Sequence, residues 1–344
     1  MEDRKELTKK VLPVTYPMIT TYTHHAHLLS ILSNYEDIYP WIFSNYIQLY
    51  INKDYIHNWG DFYFPFPYES RPSDTCKWIL TQAIHRDTIE RKWESIINFI
   101  IDSINSNNYV HTNVNYFYMP LGPIYNKYHY NHDILIYGFD LNEEVLYVAD
   151  FFDMGKYSYE KISFSDFSKA YSTYSLAENI DYLYSMVYSY NINSKCDYMF
   201  SIENISNSIK SYLFASIPEY WDCYNNDNRK DIVFGVEIYT TLKNYINRIR
   251  SSCESDIDIR PFYMLYDHKK IMVLRFKYLY EHGYYKNCNS ENIIGFTKIE
   301  SQTKNIVYLL IKYNISKSNK ILDEVINLLN IIENNEKNIL KQYI

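Results

Sequence analysis

Apolar residues fall at helical spacing over residues 23–34 (THHAHLLSILSN), where Ala26, Leu28, Leu29, Ile31 and Leu32 line up behind the candidate N-caps Thr20, Thr21 and Thr23. A second helical stretch is predicted over residues 40–51, with Pro40 at its first position. Residues 58–72 (NWGDFYFPFPYESRP) read as an irregular loop, after which Ser73 or Asp74 caps a long helical region reaching residue 106. From Tyr109 the period shortens. Residues 110–120 alternate loosely, while 132–138 (HDILIYG) and 145–151 (VLYVADF) have strong β character. The turn-like FDLNEE between the last two predicts a hairpin. Another helix is expected over 165–174. After a mixed region over 180–230, helical patterns cover 231–250, 261–282 and 319 onward. In the last of these Ile321, Leu322, Val325, Ile326, Leu328, Leu329 and Ile332 form a stripe that reads as helix-packing core, and the NIIENNEKNILKQYI end reads as prone to fray. The expectation is an α+β protein: residues 1–200 with helices packed on an antiparallel sheet, then a mostly helical domain over 201–344.

Composition narrows the function classes. Hydrophobic residues at 47% and charged residues at 22% exclude wholesale disorder. A net charge of −7 supplies no basic field for nucleic acid. There is no apolar run of about 18 residues, and MEDRKELTKK lacks a signal-peptide core, so a cytoplasmic protein free of the membrane is expected. The five cysteines are scattered, without a CxxC pair, which suggests free thiols and neither zinc nor disulfides. Tyrosine occurs 40 times, and with the abundant Ile, Asn and Lys this reads as the imprint of an AT-rich genome.

The hairpin carries the candidate chemistry. A turn centred near Leu141 or Asn142 sets His132 and Asp150 opposite each other or one step off. Directly opposed residues have Cβ atoms roughly 4.5–5.5 Å apart, close enough for a carboxylate to orient an imidazole. Both strands are otherwise nearly all apolar, so two buried polar groups there need partners, and each can serve the other. A structural His–Asp pair without catalysis is the plain alternative. In a nucleophile–base–orienter triad the third member comes best from a helix N-terminus, which favours an anion.

Thr23-His24-His25-Ala26-His27-Leu28-Leu29, with Ser30 to Tyr35, resembles the first motif of papain-like bacteriocin-processing peptidases, in which a cysteine opens a helix. His132 to Gly138 and Tyr147 to Asp150 resemble their later histidine and aspartate strands. Spacings of 109 from Thr23 to His132 and 18 from His132 to Asp150 are most similar to the branch of butirosin biosynthesis protein H and related proteins of nonribosomal peptide gene clusters. PWIFSNYIQLY and DIRPFYMLYDHKKIMVLRFKYL also resemble that branch. The resemblance implies a papain-like domain and acyl transfer to an amine acceptor. The acyl group is supplied as a thioester on the phosphopantetheine of an acyl or peptidyl carrier protein, with no cofactor of the protein's own. The catalytic positions it implies are His132, Asp150 and Thr23, where the family has its nucleophilic cysteine. Pro17 stands where the peptidases carry an oxyanion-stabilising glutamine.

Three routes remain open for an active protein. Thr23 is activated by His132, Cys76 in PSDTC serves from the first turn of a helix, or His132 acts as general base on a bound thioester without a covalent step. A catalytically inactive homologue that binds a carrier protein or a biosynthetic enzyme is the rival. His24 and His27, spaced i,i+3, form a possible ligand pair without a third member, and solvated or core-edge histidines are the default. Lys269, Lys270, Arg275 and Lys277 read as a solvated helix face that an acidic carrier could dock against.

Overall fold

The computed structural model describes residues 7–53, 60–64, 72–153, 155–177, 185–216, 231–252, 256–284 and 290–344. In chain order the elements are β1 (Lys9–Val11), α1 (Thr23–Leu32), α2 (Tyr39–Asn45), β2 (Leu49–Asn52), β3 (Gly60–Phe62), α3 (Pro72–Thr75) and β4 (Ile79–His85). Then come α4 (Arg86–Trp93), α5 (Ile96–Asn105), β5 (Tyr109–Asn115), β6 (Asn131–Asp140), β7 (Val145–Asp153), β8 (Lys156–Ser163), α6 (Phe164–Ser172) and β9 (Met186–Ile192). The rest are α7 (Ile202–Leu213), β10 (Ile232–Phe234), α8 (Ile238–Ser252), α9 (Arg260–Glu281), α10 (Ser290–Ser316) and α11 (Asn319–Leu340). The α+β class holds, with antiparallel sheets and a helical C-terminal region. None of the described helices is long and apolar enough to cross a membrane.

The chain groups into two units: residues 1–38 with 71–197, and residues 39–70 with 198–344. The first unit is built on a sheet of order β4-β9-β5-β6-β7-β8, with β1 also paired to β6. Helix α1 buries every residue from His25 to Leu32. A helix so enclosed must satisfy its polar side chains internally. His27 Nδ1 meets the Tyr157 hydroxyl at 2.9 Å, and Ser30 Oγ meets the Tyr159 hydroxyl at 2.9 Å. Its N-cap is Tyr22, without a side-chain hydrogen bond, in place of the threonines expected there.

The hairpin β6–β7 forms as predicted, with one irregularity. Ile136 pairs with Val148 but Gly138 pairs with Tyr147, so Tyr137 is an extra residue in β6. Gly138 lets β1 approach: a Cβ there would come within 2.8 Å of the Lys10 carbonyl oxygen. The long helix expected over 73–106 is instead α3, β4, α4 and α5. Residues 79–85 carry an apolar pattern that suits a helix, but they pair with β9 over seven positions from Ile79↔Ile192 to His85↔Met186. Half-exposed edge pairing overrides local propensity here. Glu94 in the left-handed conformation (φ 64°) ends α4, and Ser95 restarts the chain as N-cap of α5 by accepting from Asn98 N at 3.1 Å.

The second unit has a small sheet of order β10-β2-β3 and the helices α2 and α7 to α11. The helix expected over 40–51 stops at Asn45, and 49–52 become a strand. Arg275 donates to the carbonyls of Phe43 at 2.6 Å and Tyr46 at 2.5 Å, satisfying the end of α2. The helix expected over 231–250 begins with strand β10 instead, and part of the expected 58–72 loop is β3; residues 58–59 and 65–71 lie outside the described residues. The stripe on α11 packs as predicted through Ile321, Leu322, Val325, Leu329 and Ile332, and it continues to Glu336 and Leu340, so the helix stays intact where fraying was expected.

Glu336 explains that order. It is fully buried and takes Lys269 Nζ at 2.6 Å on one oxygen, and the hydroxyls of Tyr239 at 2.7 Å and Tyr212 at 3.2 Å on the other. Lys269 also donates to Tyr212 at 3.0 Å and meets His268 Nδ1 at 3.1 Å. His268 Nε2 donates to the Ile47 carbonyl at 2.8 Å. Lys269 and Arg275 are thus interior groups, which corrects the expected basic docking face. Of those four cations only Lys270 and Lys277 reach the surface. Removing one partner of such a pair strands a buried charge. Glu336→Leu should destabilise by about 3–5 kcal/mol in chemical denaturation, and Lys269→Met/Glu336→Leu should recover more than half of that loss.

Candidate active site

Asp150 in β7 has no solvent exposure, and its Oδ2 is the hub of the site. His132 Nδ1 lies 2.8 Å from it, and the Tyr116 hydroxyl donates to the same oxygen. Tyr116 opens a single 3-10 turn after β5, which Asn115 caps by accepting from Phe117 N at 3.2 Å. The Tyr116 and His132 rings are 4.9 Å apart at their centroids. His132 and Asp150 are not directly opposed. Continuing the register Leu135↔Ala149 sets Asp150 beside Ile134, with His132 on the diagonal, a separation that an imidazole spans. The His132 side chain is 36% exposed. With Nδ1 committed to Asp150, Nε2 is the nitrogen left for proton exchange.

Two opposed effects set the charge of His132. Burial disfavours the imidazolium, but the charge and hydrogen bond of Asp150, with help from Asp133, outweigh it and raise the pKa to about 9. At neutral pH the ring is therefore an imidazolium. Burial and the neighbouring Asp150 push the Tyr116 phenol well above its ordinary value, so it stays a donor.

Thr23 is the first residue of α1, as predicted, and its hydroxyl donates to Asp133 Oδ2 at 3.1 Å. The hydrogen-bonding partner of Thr23 is thus the residue beside His132 along β6. The other oxygen of Asp133 lies 3.2 Å from His111 Nε2 on β5. His27 and His24 line, with Ser73, His111 and Tyr190, a cavity of about 10 Å³, room for about one water. Burial drives the His27 imidazole down to about 3, so it is neutral.

Cys76 follows α3 instead of standing in a helical first turn, and so has no helix N-terminus to acidify it. It is buried, and burial pushes its thiol up to about 12. Cys196 is also a free thiol, while Cys223, Cys253 and Cys288 lie outside the described residues. Sequence reasoning missed Tyr116, Asp133 and His111. Asp133 carried a signal, being a second carboxylate next to the candidate histidine. Tyr116 carried none among so many tyrosines. No protein-family model matches the chain, and no curated protein matches it in sequence.

The charge of His132 gives a titration to measure. By histidine NMR its ring should titrate near pH 9, and in Asp150→Asn it should titrate well below that, because burial persists while the main countercharge is gone and only Asp133 still favours the charged ring. A pKa raised by folding stabilises the protein fully below about 6.5, and that contribution fades as pH rises through 9. His132→Gln should accordingly cost more stability at pH 6 than at pH 9.5.

Proposed function

We propose that residues 1–38 and 71–197 form a papain-like domain that promotes amide formation from a carrier-bound acyl thioester by proton transfer through His132, without an acyl-enzyme. The supporting observation is the pairing of a partly exposed imidazole with a wholly buried carboxylate at 2.8 Å, the arrangement a proton-transferring histidine needs. In this reading an amine attacks the thioester carbonyl, the C–N bond forms and the C–S bond breaks. His132 Nε2 takes the proton lost by the amine and returns one to the departing phosphopantetheine thiolate. Asp150 and Tyr116 fix the ring and the charge it bears. The acyl or peptidyl carrier protein and the small amine acceptor are the partners, met in the cytoplasm in the course of nonribosomal peptide or related natural-product assembly.

Two observations favour a second reading, an inactive homologue that binds a carrier protein or biosynthetic enzyme. The Thr23 hydroxyl is engaged by a carboxylate, and His132 is protonated at neutral pH, when a general base must be neutral. Amide production from carrier-bound acyl thioesters and a panel of amines separates the two. On the first reading the wild-type rate rises with pH up to about 9, and His132→Ala lowers it by roughly 10²–10⁴-fold. Cys76→Ala leaves it unchanged, and intact-mass spectrometry finds no acyl adduct on a cysteine. Equal, background-level product from wild type and His132→Ala would leave the binding role.

A further inference from the structure

We infer that Asp133 is a positioning residue that fixes the side chain at position 23 as a hydrogen-bond donor and opposes any anion there, so the nucleophile position is held uncharged by its own surroundings. The inference rests on the reading of position 23 as the family's nucleophile site. Thr23 begins α1, where the unsatisfied backbone N–H groups of the first turn favour negative charge. That is the setting in which a thiol is acidified. Here the first-turn side chain instead donates a hydrogen bond to a carboxylate at 3.1 Å.

An alcohol suits that partner, since it donates and stays neutral. A thiolate in the same place would meet a like charge at hydrogen-bond distance, and like charges disfavour ionisation. Among the described residues, the ionisable groups that interact with this carboxylate include His111 on β5, Tyr116 just after β5, His132 on β6 and His27 on α1. His132 carries its charge into the pair with Asp150, and His27 is neutral. Among the described residues, the buried His111 ring places its Nε2 3.2 Å from the other oxygen of Asp133. The Asp133 side chain is 24% exposed and so keeps contact with solvent. Replacement of the cysteine and the presence of Asp133 are on this account one adjustment. Restoring sulfur alone does not restore a thiolate.

The experiment reads thiol ionisation, with no acyl chemistry, and so stands or falls apart from the activity proposed above. Thr23→Cys and Thr23→Cys/Asp133→Asn are alkylated with iodoacetamide across pH 5 to 10, and modification of the introduced thiol is followed by peptide mass spectrometry to separate it from the five native cysteines. The double variant should ionise with a midpoint lower by about one unit or more, and should react about tenfold faster at neutral pH. Should Asp133→Asn unfold the protein, as judged by circular dichroism, Asp133→Ser serves in its place. Coincident midpoints in the single and double variants would overturn the inference. So would a lower midpoint in the variant that keeps Asp133.

Discussion

A carboxylate with no solvent contact needs polar partners, and the candidate site is built on those that Asp150 finds. It meets an imidazole nitrogen and a phenol on one oxygen. Tyr116 is placed for this by the turn that Asn115 caps, and His132 by the first positions of a strand whose interior is apolar. The raised basicity of His132 follows from the same arrangement. Stability and proton chemistry are here two views of one interaction.

The helical unit solves a similar problem with the signs reversed in emphasis. Lys269 and Glu336 join α9 to α11, and the hydroxyls of Tyr212 and Tyr239 bring in α7 and α8. Every helix so joined must arrive in register, because a displaced partner would leave a charge in an apolar interior. Tyrosine supplies the polar tips in both units: Tyr116, Tyr157 and Tyr159 in the first, Tyr212 and Tyr239 in the second. An abundance that reads as genome composition in the sequence is put to structural use, since a ring fills apolar space and its hydroxyl satisfies a buried group.

The elements with one unambiguous period were legible. Helix α1, the β6–β7 hairpin and the stripe of α11 could be read because their apolar residues leave no competing pattern. Strand β4 was not, because WILTQAIH suits a helix until a partner strand claims it. The His132–Asp150 pairing was legible as a pair but not as geometry, since a bulge cannot be counted from a turn sequence. Asp133 was visible and went unused: its meaning depends on where the start of α1 lands, 110 positions away in the chain. The place of residues 39–70 with the C-terminal part is likewise a long-range property, set by carbonyls that Arg275 reaches and by the pairing of β2 with β10.

The bulge at Tyr137 makes the length of β6 a matter of parity. Near the turn, Gly138 pairs with Tyr147; carried onward without the extra residue, that numbering would bring Asp150 opposite Leu135, on the face that alternation assigns to Asp133. The carboxylate would then confront another carboxylate, and the imidazole would look away. One residue gained or lost between His132 and Gly138 exchanges attraction for repulsion, while two restore the phase. The stretch between His132 and Gly138 therefore keeps this pairing only if its length changes in even steps, whereas the turn at residues 141–144 carries no such restriction.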